Sequence, residues 1–545
     1  MGRSPIGLAF AHVKNSINFK KRQGTQSFFC MPIASAAPYK QGMRGGREMR
    51  KKVNIIGAGI AGLSAGCYLQ MNGYDTEIFE LHSTPGGLCT SWKRKGFTID
   101  GCIHWLVGSG PRDNFYKLWN ELIDMKNIEF VDHEEYMRVE AADGKSLRVF
   151  TDVEKLEKEM LEKAPEDKGV ILEFTNAVRR FSKLDMPIDK APETMNLLDG
   201  FKNMIRFMPY FRALKKYSSI SLGEYARKCS NPLLRKAFEF MFVPKMITLF
   251  VILTLVWMHK KSAGYPIGGS LEFSRLLEKK YLELGGKINY RSRVRKIITE
   301  DDSAKGIVLE NGETHTSDMV ISAADGHCTI FEMLEGKYTD KKIEDYYDNY
   351  EAFPSYVQVS LGICRTFENE PHYVVIPAGK PLVIDESAAY QDILVRIFNY
   401  DPTVAPEGKT LITALLPTPN YQYWEDLRKN DTEKYISEKE RIANQVIEIL
   451  ERRFGHVRSN VEVTDVSTPS TVIRYTNNWK GSLEGWILTP KMGLSKMKKV
   501  LPGLRNFYMA GQWVQPGGGV PSALLSGRNV TQIICKKDKK RFVTT

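Results

Sequence analysis

At 545 residues the chain is too long for one compact core, so two domains are expected. Its 42% hydrophobic and 26% charged residues are ordinary for a soluble globular protein. The formal charge of +13 is concentrated at the start: residues 1–48 hold eight Lys/Arg and one acid, Glu48, leaving 69 basic and 63 acidic residues, or +6, for Met49–Thr545 and no case for a nucleic-acid partner.

Residues 1–48 lack periodic apolar spacing and read, with the two residues after them, as an irregular tail over 1–50. Three readings stand: an organelle transit peptide, a disordered basic arm, or an artefact of start-site choice. The last is preferred, because Met49-Arg50-Lys51-Lys52 leads directly into an apolar run, as a natural start would. Val53–Ile56 predicts a buried parallel strand ending at Gly57, Ala61–Met71 a helix stopped by Gly73, and Thr76–Phe79 a second strand.

From Trp105 to His259 helical patterns dominate. Within them Met246–Met258 is almost wholly apolar but shorter than the roughly 20 residues a bilayer span takes, so it predicts a buried helix lining an apolar tunnel. Phe201, Ile205, Met208 and Phe211 recur at near-helical spacing among Lys202, Arg206, Arg212, Lys215 and Lys216, with Pro209 interrupting. A solvated helix face and a peripheral membrane contact both fit that segment.

Lys287–Ser322 returns to strands at Ile288–Tyr290, Val294–Thr299, Gly306–Leu309 and Met319–Ser322, with an Asn311-Gly312 turn signal. Residues 331–480 mix strands and helices, including the amphipathic stretch Ser437–Phe454. Asn506–Ala510 predicts a last strand, followed by a Gly-rich loop and a helix from about Pro521. No internal repeat is visible. The order implies an α/β fold with interleaved domains: a nucleotide domain from 51–104, 260–330 and 481–535, a mixed α+β substrate domain from 105–259 and 331–480, and a basic tail at 536–545.

Gly57-Ala58-Gly59-Ile60-Ala61-Gly62 is a G-x-G-x-x-G turn between a strand and a helix. Its first glycine permits the tight turn, the second lets the backbone approach a pyrophosphate, and the third lets helix pack on strand. The helix N-terminus adds free N–H groups for phosphate. Glu80, at the end of the second strand, is placed to accept ribose hydroxyls and disfavours a 2′-phosphate. Pro85-Gly86-Gly87 follows closely, and such an extension points to FAD in preference to NAD. Gly517–Gly519 precede the last helix, where backbone N–H groups would stabilise charge developing on the flavin pyrimidine ring.

Val53–Gly87, Phe97–His104, Tyr265–Ser270, Tyr508–Gln512 and Pro516–Pro521 together resemble the phytoene desaturase and retinol saturase family of flavoproteins, over about Lys51 to Cys535. The resemblance implies a fold shared with amine oxidases and FAD as cofactor. It implies FAD contacts at Gly57, Ala58, Gly59, Ile60, Ala61, Gly62, Glu80, Gly86, Gly87, Leu88, Val294 (holding the adenine through its backbone), Gly511, Gln512, Gly518, Gly519 and Val520. The pattern departs at Leu88, where many relatives have Arg, at Gln512, where an acid is common, and at Cys102, where Gly is common. His104 is the candidate catalytic side chain, either steering a proton or serving as a structural histidine beside Trp105.

The implied reaction is hydride transfer between flavin N5 and a carbon–carbon bond of a carotenoid- or retinoid-like substrate, in a direction the sequence does not show. Such transfer needs alignment in a dry site more than a charged pair. The electron acceptor is open: a quinone, oxygen or a reduced partner. A flavin amine oxidase and a non-catalytic lipid carrier, like the GDP-dissociation inhibitors, remain alternatives. Eight scattered cysteines without a C-x-x-C pair, and dispersed histidines, suggest a cytoplasmic, reducing setting and no metal site.

Overall fold

The computed structural model describes residues 50–545 apart from Leu494, Lys496 and Pro516, so the readings of residues 1–48 lie outside the described residues. The strand β1 (Lys52–Ile56) is buried beyond its first residue because both its faces are covered. The helix α1 (Ile60–Met71) is buried on every side through Gln70, which is why it shows no amphipathic stripe. Gly73 follows it at φ +79°, and β2 (Asp75–Phe79) returns parallel to β1, with Val53 opposite Thr76.

A second helix, α2 (Gly269–Glu283), leads into β3 (Lys287–Asn289) and then β4 (Met319–Ser322); near the C-terminus come β5 (Phe507–Met509) and α3 (Val520–Lys537). These strands form a five-stranded sheet in the order β3-β2-β1-β4-β5, with every pairing parallel. Three distant stretches of chain thus build one sheet.

The helix α1 is held between α2 and α3 by glycines. A Cβ on Gly66 would stand 2.5 Å from the Tyr281 ring of α2, and the Tyr281 hydroxyl donates to the Thr76 carbonyl at 2.9 Å. On the other side, a Cβ on Gly527 of α3 would stand 2.6 Å from the Ala61 carbonyl oxygen.

The other sheet has seven strands, in the order Val461–Ser467, Ser355–Ile363, Thr410–Thr418, Ala388–Ile397, Tyr373–Asp385, Glu135–Glu140 and Ser146–Phe150. Only Tyr373–Asp385 with Glu135–Glu140 is a parallel pair. The long helix Thr432–Phe454 buries Ile442, Val446, Ile449 and Leu450 against this layer. The strands Glu135–Glu140 and Ser146–Phe150 fall inside the stretch whose sequence reads as mostly helical. They carry outward charges that pair locally, as in Glu135–Arg138 at 2.9 Å, and such residues look the same on an edge strand as on a helix surface. The Asn311-Gly312 turn leads to an additional strand, Thr314–Thr316, before β4 begins.

The apolar segment forms the helix Thr248–His259, and the basic apolar segment forms two helices, Leu197–Phe207 and Phe211–Ser218, joined by a turn containing Pro209. Among the described residues, no helix is long and apolar enough to cross a membrane. The last residues return to α1, where Val543 N–H donates to Asn72 Oδ1 at 2.9 Å.

Gly527→Ala is expected to destabilise the fold by about 1–3 kcal/mol, because the α1 backbone cannot retreat without moving the sheet. Gly169→Ala, on an exposed helix position with open space, is expected to be neutral or stabilising by up to ~1 kcal/mol. Chemical denaturation of the two variants in parallel checks the contrast.

Candidate active site

The glycine turn and the glycine pair form one unit. Gly57 takes φ +96° and donates its N–H to the Phe79 carbonyl at 2.8 Å, tying the end of β1 to β2. A Cβ on Gly62 would lie 1.9 Å from the Gly57 oxygen, so Gly62 is fixed by the turn itself. Ala58 N–H donates to Glu80 Oε2 at 2.6 Å and His82 N–H to Glu80 Oε1 at 2.8 Å. Burial raises the Glu80 carboxyl's pKa, and these two N–H groups work against that rise. Gly86 N–H donates to the Ala58 carbonyl at 2.9 Å, which sets the glycine pair against Gly59.

This unit walls one end of a cavity of about 850 Å³. Its lining includes Gly57, Gly59, Ile60, Ala61, Glu80, Gly86, Gly87, Leu88, Val294, Gly511, Gln512, Gly518, Gly519, Val520 and His104. Ala58 and Gly62 are the two site residues from the sequence that do not line it. Gly517, Gly518 and Gly519 have φ of +98°, +64° and +79°, a path that delivers the chain to the N-terminus of α3. Gly511 N–H donates to Ser526 Oγ at 2.7 Å, and the Gln512 amide donates to Asn478 Oδ1 at 3.1 Å.

The other end is apolar and aromatic, with Trp105, Tyr136, Phe242, Phe250 and Trp257 among its walls. Phe250, Thr254 and Trp257 come from the buried helix Thr248–His259, so the apolar segment does line the cavity.

Matches to known proteins agree with this layout. Residues 60–535 match the family model described as flavin containing amine oxidoreductase. The chain belongs to that family. A chloroplastic prolycopene isomerase of an Oncidium hybrid cultivar is 23% identical over 500 residues, covering 87% of this chain and 82% of the relative. A 4,4'-diapophytoene desaturase of Methylomonas sp is 25% identical over 520 residues, covering 90% and 96%. The fold is also that of putrescine oxidase solved with putrescine bound, at 13% identity, a TM-score of 0.56, and coverage of 90% of this chain and 99% of the other.

In this flavin family member the two motifs that flank the glycine unit are clasped together. Asp100 accepts from Ser270 N–H at 2.8 Å and Ser270 Oγ at 2.6 Å, and Ser270 Oγ in turn accepts from Ile103 N–H at 2.8 Å. Gly269 is required there, since a Cβ would meet Asp100 Oδ2 at 2.4 Å. The clasp holds the 100–104 stretch along the cavity wall. Burial, reinforced by Arg396, lowers the His104 pKa to about 3, so the imidazole is neutral at physiological pH. That neutral ring offers one N–H and one acceptor nitrogen, and no imidazolium proton. The neighbouring Cys89 thiol, together with burial, keeps the Cys102 thiol well above the usual range. Such a thiol is a poor nucleophile. All seven described cysteines are free.

Several cavity residues gave no sequence signal. Arg396 is buried beneath the His104 segment and donates to the Ile103 carbonyl at 2.9 Å and the Tyr400 hydroxyl at 3.0 Å. His133 and His372, distant in sequence, stack at 3.4 Å beside it. They line a second cavity of about 380 Å³ whose wall is shared with the first at His104, Trp105, Tyr136, Tyr373 and Arg396. Arg293, next to Val294, lines the main cavity and is held by Asn477 Oδ1 at 3.1 Å. Asp325 accepts from the N–H groups of Cys328 and Trp479, both at 2.8 Å, and burial pushes its pKa up to about 7. Glu484 also lines the cavity, and burial pushes its pKa up to about 8.

Gly59 separates a structural from a ligand-facing role for these glycines. Its Cβ would meet nothing nearer than the Gly86 oxygen at 3.8 Å, and its φ of −68° suits any residue. Gly59→Ala is therefore expected to match the wild-type apoprotein's stability within about 0.5 kcal/mol. It is expected to hold FAD at least about tenfold more weakly, a loss of ~1.4 kcal/mol. Thermal melts without cofactor and fluorescence titration with FAD measure the two effects separately.

Proposed function

We propose that this protein is an FAD-dependent oxidoreductase that moves a hydride between flavin N5 and a carbon–carbon bond of a hydrophobic polyene. The observation that carries this reading is the continuity of the cavity: one space has both a glycine-backbone wall and an aromatic wall. In this assignment the parallel sheet and the segments 51–104, 260–330 and 481–535 serve the cofactor, and 105–259 with 331–480 serve the substrate. The desaturase and isomerase names borne by the relatives support a polyene substrate.

The residues present suit FAD. Gly59, Gly86 and Gly87 expose backbone where a pyrophosphate would lie, and the α3 N-terminus presents N–H groups behind three glycines. Glu80 keeps lone pairs for ribose beyond the two N–H groups it already accepts. Arg293 brings a positive charge into the cavity, whereas the position after the glycine pair is Leu88. Bound there, FAD supplies the hydride chemistry. The chain supplies alignment and dryness: the aromatic wall excludes water, and neutral His104 adds hydrogen bonding without a charge. An amine oxidase reading is weaker, because Glu484 and Asp325, two of the carboxyls that line the cavity, are biased toward the neutral form and so suit a cationic amine poorly.

We also assign a peripheral membrane contact to the helices Leu197–Phe207 and Phe211–Ser218. Leu197, Leu198, Phe201, Met204, Ile205, Met208 and Phe211 are exposed, from 49% for Ile205 to 93% for Leu197. Lys202, Arg206, Arg212, Lys215 and Lys216 are exposed with them, which suits anionic lipid. The second of these helices packs on Thr248–His259, the helix that lines the cavity, so the patch adjoins the path a lipid-borne polyene would take.

Two measurements test these readings. Purified protein with added FAD is expected to show flavin absorption that bleaches on anaerobic reduction; a colourless protein that takes up no FAD would leave the carrier reading in its place. Bleaching by an amine, with polyenes inert, would favour the amine oxidase. In vesicle sedimentation, wild type is expected to follow anionic vesicles and to stay free of neutral ones. The double variant Leu198→Ser/Phe201→Ser is expected to stay in the supernatant with both.

A further inference from the structure

The segment Ser482–Trp486 runs along the cavity edge and is pressed against the Gly-rich loop before α3. A Cβ on Gly485 would stand 2.5 Å from the Gln512 oxygen, and Phe353 N–H donates to the Gly485 carbonyl at 2.9 Å, so the backbone on either side of Glu484 is fixed. The Glu484 carboxyl then fills the space that a side chain at 518 would need: a Cβ there would fall 1.4 Å from Glu484 Oε2. That oxygen is shut off from solvent and has no hydrogen-bond partner. The residue's remaining accessible surface faces the cavity.

A buried carboxyl with an unsatisfied oxygen is costly if its only role is structural, because a glutamine or an apolar side chain would fill the same space. Cys102 lines the same cavity, and the Glu484 charge is among the smaller causes that hold its thiol up. No lysine, arginine or histidine contributes to holding Glu484 ionised; only the Gly519 N–H opposes the effect of burial.

We propose that Glu484 is the acid–base group of the redox site, the residue that carries the proton moving with the two electrons. This rests on the flavoprotein reading above. When hydrogen is added across a carbon–carbon double bond, a reduced flavin held by the glycine walls would supply both electrons and one hydrogen to one carbon as hydride. The Glu484 O–H bond breaks, its proton goes to the neighbouring carbon, and the carboxylate regains a proton from solvent. In the reverse direction the carboxylate takes that proton as the hydride leaves. Gly518 is glycine because the acid occupies the place of its side chain.

The sign of the pH effect follows. The folded-state pKa lies above the ordinary value of 4.5, at about 8, so the acid is protonated and ready to donate at neutral pH. The folded protein also holds a proton that the unfolded chain releases, so stability falls as pH rises from about 4.5 to about 8, and Glu484→Gln removes that fall.

The test uses the full chain loaded with FAD. Infrared difference spectra across pH should show, beside the band of Asp325 that titrates near pH 7, a second protonated carboxylic acid band that titrates near pH 8 and is lost in Glu484→Gln while the Asp325 band stays. The flavin midpoint potential, plotted against pH, should change slope near the same pH in wild type and show no such change in Glu484→Gln, with FAD affinity kept within about threefold. Glu484→Asp should restore a change of slope at a shifted pH. A wild-type potential profile in Glu484→Gln, or survival of the band that titrates near pH 8 beside that of Asp325, overturns the proposal. So does a parallel loss of FAD binding, which would make Glu484 a cofactor-holding residue. If the protein takes up no FAD, the flavoprotein reading fails by itself, and the infrared titration of the apoprotein still reports whether Glu484 holds its proton.

Discussion

The arrangement depends on backbone meeting backbone with no side chain between. Gly62 against the Gly57 oxygen, Gly86 against Ala58 and Gly59, and Gly527 against the Ala61 oxygen are three such contacts within one small region. At Gly62 and Gly527 the distance is one that a methyl group would forbid. Together the three contacts bring strand ends, a helix N-terminus and a loop from well over four hundred residues downstream to one place. The glycines differ in what they make room for, since Gly62, Gly66 and Gly527 admit neighbouring protein, whereas Gly59 faces open cavity. A fingerprint of identical residues thus divides into parts that build the fold and a part that leaves room for a ligand.

Once that region is fixed, the electrostatics of the cavity follow from burial. With few water-accessible surfaces, ionisable groups in it move toward their neutral forms: His104 down, Asp325 and Glu484 up, Cys102 up. Arg396 is an exception, kept charged by the carbonyl and hydroxyl it donates to and by the faces of Tyr265 and Phe398. A site of neutral polar groups in an aromatic enclosure holds an uncharged conjugated chain well and a cation badly. It also leaves two proton-bearing acids on the cavity wall, Asp325 and Glu484, of which Asp325 already accepts two backbone N–H groups.

The local parts of this picture were legible in the sequence because they are dictated by local physics. The turn at Gly57–Gly62, the apolar β1 and the Thr248–His259 helix are each specified by a few contiguous residues, and their boundaries shift by only a residue or two in the structure. The strands Glu135–Glu140 and Ser146–Phe150 were not legible: the first pairs with Tyr373–Asp385 more than two hundred residues away, and the second joins the sheet only through the first. For the same reason, dispersed histidines became the stacked pair His133–His372, and an unremarkable Arg396 became the support of the cavity wall. Glu484 belongs to this second class. Between Leu483 and Gly485 it reads as a surface acid, and only the chain crossing at Gly518 buries it.

The exposed helices Leu197–Phe207 and Phe211–Ser218 complete a physical gradient across the molecule. Large apolar side chains lie outside among basic residues; the second helix rests on Thr248–His259; that helix places Phe250 and Trp257 in the cavity; and the cavity ends at glycine backbone. Each step exchanges one kind of apolar surrounding for another, so a long hydrophobic molecule moving along it need not be exposed to water. If the proposed membrane contact and polyene substrate hold, the cost of leaving lipid would be met continuously along the path. The helix Phe211–Ser218 thus links the exposed apolar residues before it to the apolar helix that lines the cavity.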